Sequence, residues 1–277
     1  MTRRLAYLGP PGTYSEEAAL LYDSEASLVP AASLPAVIDS VHCGEADEGI
    51  VPVENSLEGA VTFTADLLIH ETQLKIKSEL VLPIHHCLLA KAGTDLENVE
   101  IVYSHPQSLG QCREYLRRRF PNATTMPSLS NSAAVEDMIC SDRIAVAVAG
   151  KRAASIFNVN ILEEGVEDNR SNATRFIVLS SEDSAPTGKD KTSLCFSFDA
   201  DRPGSLVGVL MEFSNRGINL NKIESRPTRR SLGRYFFLAD IDGHQEDSDV
   251  RSALDVIGEK VSMLKVLGSY PQYSPPE

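Results

Sequence analysis

No two cysteines of the chain are spaced as Cys-x-x-Cys, and the five present (Cys43, Cys87, Cys112, Cys140 and Cys195) are odd in number and widely separated. That pattern excludes a disulfide framework and a thiolate metal site, and leaves reduced thiols as the expectation. The histidines lack a His-x-x-x-His pair. His42, His70, His105 and His244 are scattered, while His85 and His86 are adjacent and on a strand would point to opposite faces, so no metal is expected. No apolar stretch is long enough for a signal peptide or a membrane span. Met1-Thr2-Arg3-Arg4 runs straight into the strand-like Leu5-Ala6-Tyr7-Leu8, which predicts a cytoplasmic protein with no membrane partner. Positive charge is also short: the formal net charge is −13, and no Lys/Arg stripe interleaved with aromatics offsets it, so nucleic-acid binding is excluded.

What is present is enough apolar residue for two or three cores, 42% of 277 residues. Up to about residue 180, short apolar runs alternate with helical stretches, the rhythm of an α/β domain with parallel strands and crossover helices. The runs are Leu5–Leu8, Gly49–Val53, Leu74–Leu89 in two pieces around Pro83, Ile101–Tyr103, Ile144–Val148 and Arg175–Leu179. Residues 181–191 are small, polar and broken by Pro186 and Gly188, which reads as a linker. Beyond it Thr192–Phe198, Ser205–Arg216, Ile218–Glu224, Arg234–Ile241, Ser248–Glu259 and Val261–Tyr270 follow the order βαββαβ of a ferredoxin-like α+β fold.

Four segments of the first region carry candidate chemistry. Gly9-Pro10-Pro11-Gly12-Thr13-Tyr14-Ser15-Glu16 joins a strand to a helix, and Thr13 with Glu16 has capping-box spacing. Its glycines do not match a dinucleotide fingerprint. In Gly49–Gly59, Asn55 or Ser56 is placed to cap another helix, and in Ser104-His105-Pro106-Gln107, Ser104 can cap a third, with Gln107 and Gln111 on one face. Capped helix starts at the carboxyl ends of strands converge on the ligand crevice of an open α/β sheet, where unpaired N–H groups favour anions. The fourth segment, Glu167–Phe176, places Thr174 and Arg175 at the start of an apolar strand.

Together, Leu8-Gly9-Pro10-Pro11-Gly12-Thr13-Tyr14-Ser15, Pro52-Val53-Glu54-Asn55-Ser56-x-x-Gly59, Ser104-His105-Pro106-Gln107 and Asn172-x-Thr174-Arg175-Phe176 resemble the prephenate dehydratase family in order and spacing, over nearly the whole chain. One departure is Arg170, where the family often has proline. The resemblance implies a lyase that converts prephenate to phenylpyruvate for phenylalanine biosynthesis, without metal or organic cofactor. It also implies two α/β lobes with a cleft between them, like type II periplasmic binding proteins. On these motifs Thr174 is the expected catalytic residue, and Thr13, Asn55, Ser56, Ser104, Gln111 and Arg175 are expected to bind substrate. Arg175 has a second reading, an ion pair with Glu163, Glu164 or Asp168. His105 is expected to support its loop.

Asp201-Arg202-Pro203-Gly204-Ser205-Leu206-Val207 and Gly217–Pro227 resemble segments of the ACT domain, a regulatory module. The resemblance implies a phenylalanine site at a subunit interface, from Gly204, Ser205, Leu206, Val207, Ile218, Asn219, Leu220, Glu224 and Ser225, and so a homodimer or homotetramer inhibited by L-phenylalanine. Val207 is bulkier than the alanine usual at its position. The expected division is a catalytic domain over 1–180, a linker over 181–191, the ACT domain over 192–271 and a tail over 272–277. Two other readings stand beside this one: an arogenate dehydratase with the same mechanism, and a non-catalytic amino-acid sensor.

Overall fold

The computed structural model describes residues 2–200, 202–228 and 234–274. Asp201, which opens the first ACT-like segment, and residues 275–277 of the tail lie outside them. In chain order the elements are β1 (Arg4–Leu8), α1 (Tyr14–Tyr22), β2 (Ser27–Ala31), α2 (Leu34–His42), β3 (Glu48–Asn55), β4 (Gly59–Ala60), α3 (Thr62–His70), β5 (Lys75–Pro83), β6 (Cys87–Ala90), β7 (Ile101–Ser104), α4 (Pro106–Gln111), α5 (Arg113–Arg119), β8 (Thr124–Pro127), α6 (Asn131–Cys140), β9 (Ala145–Ala149), α7 (Lys151–Phe157), β10 (Asn160–Glu164) and β11 (Ala173–Ser180). They continue with β12 (Asp190–Ser197), α8 (Ser205–Ser214), β13 (Leu220–Pro227), β14 (Tyr235–Asp242), α9 (Ser248–Lys260) and β15 (Met263–Pro271). No helix among the described residues is long and apolar enough to cross a membrane.

Two compact units result, one of Met1–Val61 with Val81–Phe176, the other of Thr62–Leu80 with Ile177–Glu277. The division falls inside β5 and β11, so both strands belong to both units.

The first unit holds two α/β lobes. One sheet runs β2-β1-β3-β11-β5, with β4 paired to β3, and the other runs β10-β6-β9-β7-β8. Read from β2 and from β8, the two have the same plan, as the two-lobed expectation requires. The packing of the second lobe is visible in β9, whose Ala-Val-Ala-Val-Ala is buried throughout. Ala145, Ala147 and Ala149 face α6 and α7, among Ala134, Val135, Met138, Ala153 and Ala154, and their small side chains bring those helices close. Val146 and Val148 face the other way, against Cys112, Leu116 and Phe120. A strand buried on both faces has no polar alternation, which is why it reads as an apolar run.

The sheets are mixed, not wholly parallel. β8, β7 and β9 are parallel, but β6 is antiparallel to β9 and β10 to β6. Parallel neighbours need a crossover of a dozen residues or more, usually a helix. Only Ile84, His85 and His86 separate β5 of one sheet from β6 of the other.

The second unit contains a four-stranded antiparallel sheet in the order β13-β14-β12-β15 with α8 and α9, the ferredoxin-like plan. Its core joins Leu194, Phe196, Val209, Phe213, Ile241, Leu254 and Ile257. The segment Thr62–Leu80 is held to it by buried polar contacts. Lys265 Nζ donates to the carbonyl of Leu68, left open in the last turn of α3, and to that of Thr72 just beyond it, both at 2.7 Å. The Arg226 guanidinium donates to Asp66 Oδ1 at 2.9 Å, and Lys191 pairs with Glu79 at 2.7 Å.

At Gly268 β15 lies hard against β5: a Cβ there would lie 2.6 Å from Ile76 N and overlap the rest of that peptide. Gly268→Ala is therefore expected to cost the second unit about 2 kcal/mol, the usual penalty of overpacking. A lowered thermal unfolding midpoint checks this, and an unchanged midpoint refutes it.

Candidate active site

Two connections join the lobes, the tripeptide Ile84–His86 and residues 165–172. They lie side by side. Val166 N donates to the His86 carbonyl at 3.0 Å, and Ile84 N donates to the Asn172 carbonyl at 2.9 Å. The buried Glu167 carboxylate closes the join, accepting from His86 N at 2.9 Å and contacting His85 Nδ1 at 2.9 Å. The adjacent histidines are thus on a connection and not on a strand. His85 faces outward, with its side chain 54% exposed, and His86 is buried. Among the described residues no group of three or more His, Cys, Asp or Glu is arranged to hold a metal.

Where the connections meet the sheets, a row of polar side chains is assembled. Asn55, at the end of β3, accepts with Oδ1 from the backbone N–H of Leu57 (3.0 Å) and of Glu58 (3.2 Å). Its Nδ2 donates to Asn172 Oδ1 at 2.8 Å and to Thr174 Oγ1 at 3.0 Å. Asn172, fully buried, donates through its own Nδ2 to Gln111 Oε1 at 3.0 Å. Gln111 Oε1 also meets His86 Nε2 at 2.8 Å, and Gln111 Nε2 donates to Glu58 Oε1 at 3.3 Å. The bond from Asn55 uses a lone pair of the Thr174 oxygen, which leaves the hydroxyl hydrogen for a further acceptor.

Asn55 caps a turn, not a helix, contrary to the sequence expectation. Ser56 to Glu58 form a tight turn into β4, with Glu54 opposite Ala60 and Asn55 opposite Gly59. Gly59, at φ 82°, supplies the left-handed residue the turn requires. Ser56 ties this hairpin to the second connection: its Oγ donates to the Ser171 carbonyl at 3.0 Å and accepts from Ala173 N at 2.9 Å.

Helix N-termini gather nearby around a cavity of about 500 Å³ lined by Thr13, Tyr14, His105, Leu129, Ser130 and Asn131, among others. Thr13 caps α1, accepting from Glu16 N at 3.4 Å, and Ser130 caps α6, accepting from Ala133 N at 2.9 Å. The capping box at Thr13 is only half formed. Glu16 turns back to Gly12 N at 2.7 Å, one residue earlier than the box requires, and is held there by Arg152 Nε (3.0 Å) and a second guanidinium nitrogen (3.1 Å).

The third cap is displaced by one residue. His105, not Ser104, caps α4, its Nδ1 accepting from Gln107 N at 3.4 Å with Pro106 in the first helical position. Ser104 is fully buried and donates to the Val148 carbonyl at 2.6 Å. Arg175 lies 3.9 Å from Glu54, an acid not among the three considered from sequence. Glu163 accepts from Tyr115, Glu164 pairs with Lys151, and Asp168 accepts from Glu114 N and Tyr115 N.

Sequence reasoning therefore named Asn55, Ser56, Thr174 and Gln111, which the fold brings together, and placed Thr13 at the adjoining cavity. It missed Tyr14 and His86, whose hydroxyl and Nδ1 are 2.7 Å apart, and gave no role to Asn172. Tyr14 stands 72 residues from His86, and no local pattern joins them.

In the second unit Gly204, at φ 89°, is the N-cap of α8, and Ser205, Leu206 and Val207 form its first turn, with Val207 60% exposed. Ile218, Asn219 and Leu220 follow the other end of that helix and lead into β13, an edge strand carrying Glu224 and Ser225. Ten helical residues span about 15 Å, which sets Gly204 and Ile218 at opposite ends of α8.

Comparison with known proteins accords with these features. A prephenate dehydratase family model matches residues 5–184, and an ACT domain model matches residues 200–259. The chain is 42% identical to a bifunctional chorismate mutase/prephenate dehydratase of Aquifex aeolicus, over 97% of this chain and 74% of that protein. It is 36% identical to the prephenate dehydratase of Lactococcus lactis, over 98% of both. A solved prephenate dehydratase of Arthrobacter aurescens in complex with L-Phe superposes with a TM-score of 0.89 at 35% identity, covering 97% of this chain and 90% of that one. A protein described as a novel type of quorum-quenching acylase superposes with the same TM-score at 30% identity, over 99% of both chains.

Burial pushes the Glu167 carboxyl up, but its bonds with the His85 ring and the His86 N–H prevail and hold it below its ordinary 4.5. A carboxyl held low in the folded state contributes stability that is complete above its unfolded value and is lost as the pH falls through the folded one. Glu167→Gln is expected to flatten the loss of stability between roughly pH 5 and pH 3. Urea midpoints across that range test this, and parallel curves for variant and wild type refute it.

Proposed function

We propose, for a chain that belongs to the prephenate dehydratase family, that Thr174 is the residue that assists departure of the substrate hydroxyl, with prephenate bound by Thr13, Asn55, Ser56, Gln111 and Arg175, and with Ser104, expected from the motif to bind it, supporting them from a buried position. The family's reaction is a hydro-lyase step: prephenate loses carbon dioxide and water and becomes phenylpyruvate. Electrons of the C–CO₂⁻ bond enter the ring as the C–OH bond breaks, and the departing hydroxide takes a proton to leave as water. Aromatisation supplies the driving force, so the enzyme's task is to stabilise charge on the departing oxygen.

The observation that carries this reading is the direction of the bond between Asn55 and Thr174. Because Thr174 Oγ1 accepts at 3.0 Å, its own hydrogen is available to the leaving oxygen, and the incoming bond makes the hydroxyl a better donor. A threonine hydroxyl is a weak acid, so its part is a hydrogen bond to developing hydroxide, with the proton drawn from the surroundings. The substrate's two carboxylates fit the N-termini of α1 and α6 beside the cavity. Buried position and an engaged hydroxyl give Ser104 a supporting part in this reading, and Arg175, 3.9 Å from Glu54, is within reach of exchanging that partner for a substrate carboxylate.

Regulation follows from the second unit. L-phenylalanine is proposed to bind between two copies, where Gly204, Ser205, Leu206 and Val207 of one chain face Ile218, Asn219, Leu220, Glu224 and Ser225 of another, so that at least a homodimer is needed. Bound phenylalanine lowers activity by favouring a less active arrangement. The division proposed is a catalytic domain over 1–180, a linker over 181–191, an ACT domain over 192–271 and a tail over 272–277. A cytoplasmic location fits the five unpaired cysteines.

Thr174→Ala is expected to lower kcat for phenylpyruvate formation by about a hundredfold or more while the thermal midpoint holds. A rate within a few-fold of wild type refutes the assignment, and arogenate run in parallel decides the substrate. Titration with phenylalanine should slow the wild-type enzyme and leave a Gly204→Trp variant unaffected. Unchanged turnover of the wild type sinks the regulatory reading.

A further inference from the structure

We infer that Tyr14 and His86 are positioning residues of this active site: they fix the carboxamide of Gln111 with its oxygen turned inward and its NH₂ turned outward as a donor. The inference rests on the reading of Gln111 and Thr174 given above and extends it to two side chains that it leaves without a role.

The argument is one of hydrogen-bond direction. Backbone N–H groups can only donate, so Asn55 must present Oδ1 to Leu57 and Glu58, and its Nδ2 therefore faces Asn172 and Thr174. Asn172 must accept with Oδ1, so its Nδ2 faces Gln111. Gln111 must accept with Oε1, so the atom 2.8 Å away on its other side, His86 Nε2, has to carry a proton. Each amide is locked by the one before it, and the row fixes the tautomer of the imidazole. A ring protonated at Nε2 offers a lone pair at Nδ1, and the Tyr14 hydroxyl, 2.7 Å from it and 2.8 Å from the His85 carbonyl, shares its one hydrogen between these two acceptors.

The row links both lobes. Tyr14 opens α1, His86 and Asn172 lie on the two connections, Gln111 ends α4, and Asn55 ends β3. Amide groups do not pass protons along, so the row orients and does not deliver. Its product is the outward Gln111 Nε2, which holds Glu58 Oε1 at 3.3 Å and is the one group of that carboxamide left to meet a ligand. Tyr14 itself is seated against Gly150, where an added Cβ would be 3.1 Å from its ring.

Steady-state kinetics of Tyr14→Phe, His86→Ala, His86→Gln, His86→Asn and Gln111→Ala, with both double variants Tyr14→Phe/Gln111→Ala and His86→Ala/Gln111→Ala, test this. His86→Ala is expected to lower kcat/KM between about tenfold and a hundredfold, as a displaced positioning group does, and Tyr14→Phe about tenfold. His86→Gln restores a donor near Nε2 and should recover to within about threefold, whereas His86→Asn reaches only the Nδ1 level and should not. Losses should fail to multiply in the Gln111→Ala background. Nitrogen NMR of histidine-labelled protein at neutral pH should find His86 protonated at Nε2. Multiplying losses, equal activity of the Gln and Asn variants, or a ring protonated at Nδ1 alone overturns the inference. Where His86→Ala does not fold, the Tyr14→Phe/Gln111→Ala cycle decides. A fully active Thr174→Ala enzyme that keeps the coupling removes Thr174 from the mechanism and leaves this inference standing.

Discussion

The carboxamide oxygen of Asn55 accepts from two backbone N–H groups of its own hairpin, and the polarity of every side chain in the row beyond it depends on those two bonds. The hairpin exists because Gly59 adopts a left-handed conformation and Ser56 binds the neighbouring connection. Backbone donors are the most reliable directional reference in a protein, since they neither flip nor change protonation. From them follow the orientations of Asn172 and Gln111 and the lone pair by which Thr174 is held. A candidate site assembled from three neutral amides thereby acquires a single polarity from backbone donors alone.

The same economy governs charge. A chain of net charge −13 is a poor host for a dianion unless its own carboxylates near the site are matched locally. Glu16 is held between the Gly12 N–H and the Arg152 guanidinium, Glu167 between the His85 ring and the His86 N–H, and Glu54 lies near Arg175. Glu16 serves a helix start and Glu167 a connection between the lobes. The helix N-termini around the cavity then act on a background from which the nearest negative charge has been largely removed.

Much of this was legible from local pattern and some was not, for reasons the individual elements make plain. The strands β1, β3, β7 and β9 are buried apolar runs and read as such. By contrast β2, β8 and β10 stand at sheet edges, β8 and β10 exposed along their length and β2 only partly buried, and β2 and β8 contain proline, so they carry no clear apolar signature. Thr13 was recognisable as a cap from its spacing to Glu16. Asn55 looked equally like one, but the positive φ of Gly59 turned the chain into a hairpin, and no spacing rule distinguishes those outcomes. His86 and Tyr14 acquire their meaning only from contacts across 25 and 72 residues. That Thr62–Leu80 packs with the C-terminal unit rests on Lys265, Arg226 and Lys191 reaching back over more than a hundred residues.

Helix α8 holds Gly204 and Ile218 at its opposite ends. If phenylalanine binds between two copies, as proposed, sensing is second order in protein: the response then follows the abundance of the chain together with that of its ligand, and dilution alone weakens it.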